Sequence, residues 1–453
     1  MKKLNDLDAW IQEHEEEMVE DIRKLVQIPS ISKKCEGKYP FGEECFRAAV
    51  CMREIAEGYG LEAEECEGRC LCIRYGVGSK KVEIWNHLDV VPEGEGWIYE
   101  PYACRRTGDF LIGRGVSDNK GAAVAVLYAI RYLKEHGIPL HYSLNQICGL
   151  SEETGMEDAK WYVARYGSPD LAIISDCRFP LCYGEKGRCQ IKVVSQNRME
   201  HIAQLSAGIV PNSVAGRAEV IFGEDSGKIL LTADGIAGHA AAPEKCVNPI
   251  GLLAKKVRKE SLLALSEAER MLFQFLEASC SDGYGEGLGL KYEDETFGKM
   301  SCVGTVLRFD EGRASLLFDL RIPPPVNPEQ VVEEFKVKAH AYGMEVVDTE
   351  ITRGYLRDLT SPSIQTLLSA YREITDGKEK PYVMGGNTYA RFFANGVGFG
   401  PGIVKDYSIL GLPEGHGGGH ACDEVQSVSS LSLAVKIYVT ALWNLEKLFK
   451  EKG

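Results

Sequence analysis

Apolar residues recur at helical spacing from Asp6 to Gln27, and again from Phe46 to Tyr59, where Gly60 ends the run. A short apolar stretch, Val82 to His87, then reads as a buried strand. Asn119 to His136 returns to the helical period. Gly137 stands in its C′ position and Pro139 beyond it, a pair that stops a helix because only glycine enters the left-handed region cheaply and proline cannot continue the ladder. His141 to Leu150 has strand character, Glu157 to Tyr166 is a short helix followed by glycine, and Leu171 to Ser175 is another apolar strand. Strands alternating with helices predict an α/β sheet.

The texture changes after about Tyr183. Glycine becomes frequent and alternating apolar positions mark β-rich stretches, among them Lys228 to Thr232 and Ala314 to Ile322. Leu252 to Leu276 reads as one helical island. Pro323-Pro324-Pro325 breaks the chain before a helix from Glu329 to Tyr342. From Ser361 the α/β texture resumes, with a helix to about Ile374 and a last one from about Ser427 to Phe449. The pattern predicts a discontinuous α/β domain, 1–183 and 361–453, interrupted by an inserted domain at 184–360.

Composition narrows the classes. An apolar fraction of 44% and a charged fraction of 26% over 453 residues are those of a globular protein with a large core. The net charge of −14 argues against nucleic acid or an anionic membrane as a partner. Met1 to Glu20 is too charged for a signal peptide, and no apolar stretch approaches the roughly 18 residues of a membrane span. Fifteen scattered cysteines point to reduced thiols and a cytoplasmic location. Cys177 and Cys422 read as small buried hydrophobes.

Polar clusters sit where the predicted strands end, the place at which open α/β sheets bind ligands. His87 and Asp89 are two residues apart, so in a strand they share a face, as a metal ligand and its orienting carboxylate would. Asp118, in Gly113-Arg114-Gly115-Val116-Ser117-Asp118, is a helix-capping acid or an aspartate able to bridge two metals. Glu152 and Glu153 form a solvated acidic turn, or divide between a metal and a water. Asp176 follows a buried strand, as a turn residue or a ligand. His420, with His416 as the alternative, lies in a glycine-rich loop. Taken together, His87, Asp118, Glu153, Asp176 and His420 supply two imidazoles and three carboxylates and leave Glu152 over. That donor set suits Zn²⁺ first, with Mn²⁺ or Co²⁺ as alternatives, in a two-metal centre.

The order His-x-Asp, Gly-Arg-Gly-x-x-Asp-x-Lys-Gly, Glu-Glu-x-Gly, Asp and His-x-x-Asp-Glu resembles the M20 metallopeptidases over nearly the whole chain. Tyr183-Gly-Glu-Lys-Gly187, Gly238-His239-Ala-Ala-Ala-Pro243 and Gly385-Gly386-Asn387-Thr388-Tyr389-Ala390-Arg391 are similar to its PepV-like dipeptidase branch. The resemblance implies an α/β fold, with a two-metal exopeptidase-type catalytic domain, a mixed sheet flanked by helices, and an inserted α+β lid domain. It also implies roles. His87 and Asp176 would hold one metal, Glu153 and His420 the other, and Asp118 both. Asp89 would orient His87, Glu152 would be the general base, and His239 would stabilise the oxyanion. Asn212, Arg321, Gly386 and Asn387 would meet the substrate, with Arg321 on its C-terminal carboxylate. Asn387 stands where the branch commonly has a third glycine.

These readings make the chain a metal-dependent dipeptidase for short peptides with free termini. An N-acyl-amino-acid deacylase or desuccinylase is the alternative, and a non-catalytic metal-dependent binding protein a third. The expected partner is a small peptide substrate, with no nucleic acid and no membrane. The long insertion resembles the enlarged lid of the PepV-like branch, which implies a monomer, with a homodimer as the alternative.

Overall fold

The computed structural model describes residues 6–223, 227–260, 263–402 and 406–451. The chain forms two compact units, one of Met1–Tyr183, Arg357–Tyr382 and Thr388–Gly453, the other of Gly184–Leu356 and Val383–Asn387. Residues 357–360, expected in the insertion, thus fall in the first unit, and 383–387 fall in the second.

The first unit is built on a mixed sheet. Its central strand, Lys81–His87, runs parallel to Ser143–Gly149 on one side and to Leu171–Ile174 on the other. Gly396–Gly398 continues the parallel set beyond Leu171–Ile174, and Cys182 pairs antiparallel with its end. On the other side Cys70–Tyr75 pairs antiparallel with Ser143–Gly149 and carries Glu62–Cys66 as the edge. The central strands are buried on both faces, so Val82, Ile84 and Trp85 are wholly buried, and so are the polar Glu83, Asn86 and Gln146. The helix Lys120–Glu135 is buried along almost its whole length and packs with Leu7–Val26 and Val428–Glu451. By length and composition Val428–Lys450 could cross a bilayer, but 67% of its apolar window is buried inside the protein, which gives its apolarity a packing explanation.

The second unit has a seven-stranded antiparallel sheet. Its order is Ile229–Asp234, Arg217–Phe222, Ile202–Ala207, Ser301–Asp310, Arg313–Ile322, Gly187–Ser195 and Met344–Thr352. Helices Pro249–Lys259, Glu267–Cys280 and Pro328–His340 complete a separate hydrophobic core, with Phe273, Phe275, Phe318 and Phe335 at its centre.

One element differs from expectation. The helical island from Leu252 to Leu276 is two helices, and its residues 261–262 lie outside the described residues. The second helix starts afresh because Ser266 and Glu269 form a capping box: each side chain bonds the other residue's amide, satisfying donors that a helix start leaves open.

Candidate active site

Three adjacent parallel strands deliver acids or imidazoles at their carboxyl ends. His87 closes one strand, Glu152 and Glu153 follow the second, and Asp176 follows the third. Asp118 precedes the helix that begins at Lys120; the N-cap position belongs to Asn119, so Asp118 does not serve as the cap. His420 comes from the glycine-rich loop with φ at +65°, in the left-handed region.

These side chains converge. His87 Nε2 lies 3.0 Å from Asp118 Oδ1 and 3.7 Å from Asp176 Oδ2. His420 Nε2 lies 3.2 Å from Asp118 Oδ2 and 3.0 Å from Glu153 Oε1. The two oxygens of Asp118 therefore face two separate donor sets, His87 with Asp176 and His420 with Glu153. Donor separations of this size arise when two atoms share an ion roughly 2 Å from each.

The electrostatics favour cations. Burial opposes charge on His87, but Asp118, Asp176 and Asp89 raise its pKa well above the ordinary range. Asp118 and Glu153 raise that of His420. Burial also opposes the Asp118 charge, yet His420 and His87 hold its carboxyl below the usual range. Burial lifts Glu153 to about 7 and also raises Asp176, with the Asp118 charge adding to both. Carboxylates brought this close pull positive charge into the cluster, as protons or as metal ions.

Glu152 differs from its neighbour. Its pKa is well above the ordinary carboxylate range, through burial first and then the carboxylates around it. Its Oε1 is buried and makes no hydrogen bond. A buried oxygen without a donor costs free energy unless a ligand, an ion or water completes it. The His and carboxylate donors fit a two-metal centre, with this unpaired oxygen beside it.

Asp89 meets His87 Nδ1 with two of its oxygens. His87 Nδ1 bonds its main-chain oxygen at 2.9 Å, while its Oδ1 is 3.5 Å away. The Asp89 carboxylate accepts the amides of Glu152 and Glu153, both at 3.1 Å. His416 is tied by Nδ1 to Asp423 Oδ2 at 2.6 Å and joins no donor cluster among the described residues.

The sequence reading passed over Glu424 and Arg114. Buried Glu424 accepts the amides of Gly115, Ser117 and Asp118 at 2.8–3.1 Å, and pairs with Arg114 Nη1 at 2.7 Å. Arg114 Nη2 in turn reaches His420 O at 3.3 Å. One ion pair thus braces the segments that carry Asp118 and His420. The available signal was Arg and Glu in the Gly-Arg-Gly and His-x-x-Asp-Glu segments, with no spacing to link them.

The remaining expected residues lie in the second unit. Asn212 O accepts the Ala240 amide at 2.9 Å, and His239 pairs in a short ladder with Ser213, which brings Asn212 and His239 together. Arg321 is only 3% exposed. Its Nε meets Asp319 Oδ1 at 2.6 Å and its Nη1 meets Gly385 O at 3.1 Å, next to Gly386 and Asn387.

Residues 84–444 match the profile of peptidase family M20/M25/M40. The chain belongs to this family. It is accordingly a hydrolase of the metallopeptidase type, with the family's α/β fold. Full-length M20 relatives are similar throughout. A Staphylococcus haemolyticus protein provisionally named a dipeptidase is 26% identical over 96% of this chain and 98% of its own length. Human carnosine dipeptidase 1 superposes with a TM-score of 0.65 at 15% identity, over 98% of this chain and 99% of its own. A dinuclear metal-binding M20 peptidase of Bacillus subtilis gives 0.52 at 10% identity, over 96% and 99%.

Proposed function

We propose that this M20 protein is a two-metal dipeptidase that hydrolyses short peptides with free termini, with Glu152 as general base. The observation that carries the proposal is the buried, unpaired Glu152 Oε1 beside the two donor sets that share Asp118. The names of the full-length staphylococcal relatives support a dipeptide as the substrate.

His87 and Asp176 would hold one ion, Glu153 and His420 the other, and Asp118 both. When bound, the ions, Zn²⁺ in the first instance, would supply Lewis acidity toward the scissile carbonyl and acidify a water. Glu152 would take the proton of the attacking water and return it to the leaving amine, a task suited to a carboxyl whose pKa lies above the ordinary range. His239 would donate to the oxyanion: its Nδ1 accepts the Ala241 amide at 3.0 Å, which leaves the ring proton on Nε2. Arg321, held by Asp319, would meet the substrate carboxylate, and Asn212, Gly386 and Asn387 would line its approach. We place the enzyme in the cytoplasm on its thiol-rich composition, and as a monomer on the resemblance of its long insertion to the lid of the PepV-like branch.

The test is hydrolysis of a dipeptide panel beside matched N-acetyl-amino acids by chelator-stripped protein, with Zn²⁺, Mn²⁺ or Co²⁺ returned singly. Metal-restored cleavage of free dipeptides supports the proposal and ranks the ions. Cleavage of the acylated set alone moves the function to deacylation. Inertness toward both leaves a metal-dependent binding protein.

A further inference from the structure

The turn that carries Glu152 is held in an uncommon way. Four consecutive amides, Leu150 to Glu153, all donate to buried carboxylates. Asp89 takes the last two. Asp158 Oδ2 takes the first two, Leu150 N at 2.7 Å and Ser151 N at 2.9 Å. Met156 N closes the turn on Ser151 O at 2.7 Å. The same Asp158 Oδ2 also accepts Tyr389 Oη at 2.6 Å. Tyr389 comes from a distant part of the chain, and its ring packs edge-on against Trp85 in the strand that ends at His87.

The packing leaves no slack. Asp158 and Tyr389 are both wholly buried. At Gly149, which enters the turn, a Cβ would lie 2.1 Å from Tyr389 Oη and 2.5 Å from Asp158 Oδ2. Only glycine lets the tyrosine hydroxyl and the aspartate meet against the backbone at that point. Burying Asp158 is costly: burial lifts its pKa to about 6, with the Asp89 charge adding to it. Neutral groups could satisfy the Leu150 and Ser151 amides at less cost, but one oxygen that fixes two amides and a tyrosine defines where the turn sits.

We infer that Asp158 and Tyr389 are positioning residues for Glu152, acting through the amides of Leu150 and Ser151. Glu152's role as base rests on the function proposed above; the fixing of the turn does not.

The experiment compares wild type with Tyr389→Phe, Asp158→Asn and the double variant. Two readouts are taken on metal-loaded protein: amide hydrogen exchange of the peptide spanning 149–156, and kcat and KM on an amide substrate that wild type cleaves. Tyr389→Phe should speed exchange in that peptide and lower kcat by roughly tenfold or more, as expected for losing one hydrogen bond to a charged acceptor. KM should stay within about twofold and the melting temperature near that of wild type. The double variant should be no worse than the more impaired single variant, because both act through one contact. Unchanged exchange overturns the inference, as does faster exchange with unchanged kcat. Should Asp158→Asn fail to fold, Tyr389→Phe alone decides. If wild type cleaves no amide substrate, the proposed function fails, and the exchange readout still supports or overturns the fixing of the turn.

Discussion

Glu152 and Glu153 are adjacent in sequence and diverge in environment. Glu153 Oε1 faces His420, while Glu152 keeps an oxygen with no donor. Glu152→Gln should therefore retain both metals, read by metal analysis of dialysed protein, and lose about 10²-fold or more in kcat. Retained turnover would remove Glu152 from the chemistry. Glu424 makes the opposite case, since it touches backbone and Arg114 rather than substrate. Glu424→Ala strands a buried guanidinium and three amides, so thermal and denaturant melts should lose about 3–5 kcal/mol. Metal affinity, measured by chelator competition, should fall with it. The five clustered donors stood out in the sequence because His87, Glu153 and Asp176 follow strands, Asp118 leads into a helix and His420 lies in a glycine-rich loop. Glu424 and Asp158 did not, because a carboxylate that serves main-chain amides leaves no spacing signature. Glu424 lies 306 residues from the Asp118 amide it holds.

Elements behaved as their apolar periods predict where tertiary packing agreed with them, as in the helix Lys120–Glu135 and the strand Lys81–His87. The one merged helix shows where period alone misleads. Apolar spacing carries on from Leu252 to Leu276, but Ser266-x-x-Glu269 restarts the ladder, a signal present in the sequence and outweighed there by the periodicity. That cap also titrates. Glu269 Oε2 bonds His201 Nδ1 at 2.9 Å and raises the imidazole pKa above its ordinary 6.5. Burial opposes the Glu269 charge, but the His201 ring and the His201 and Ser266 amides lower its pKa below 4.5. The raised histidine contributes stability that is full below pH 6.5 and lost as pH rises through its folded value. The lowered glutamate contributes above pH 4.5 and loses as pH falls. The pair should thus stabilise the second unit most between those two values. Proton NMR of His201 should show the raised pKa, and Glu269→Gln should return it toward 6.5. An unshifted His201 would remove the pair from the pH balance.

At the scale of the whole chain, the second unit owns its core: among the described residues, the apolar cluster around Phe273, Phe275, Phe318 and Phe335 draws on side chains from within Gly184–Leu356 alone. A fragment of residues 184–356 should therefore fold alone and melt in one cooperative urea transition, followed by circular dichroism. A gradual, non-cooperative loss of signal would show that the core depends on the rest of the chain. The domain change near residue 183 was visible as a change of texture. The return of Val383–Asn387 to the second unit was not, because five residues are too short to carry a period.

That short return sets a rule for recombination among relatives. Exchanging the insertion as one continuous cassette would pair a new Arg321 with the host's own 383–387 segment, and the carbonyl of Gly385 that receives its guanidinium would come from a different lineage. A chimera that respects the fold has to carry both pieces across, so the natural unit of exchange in this protein is split in sequence.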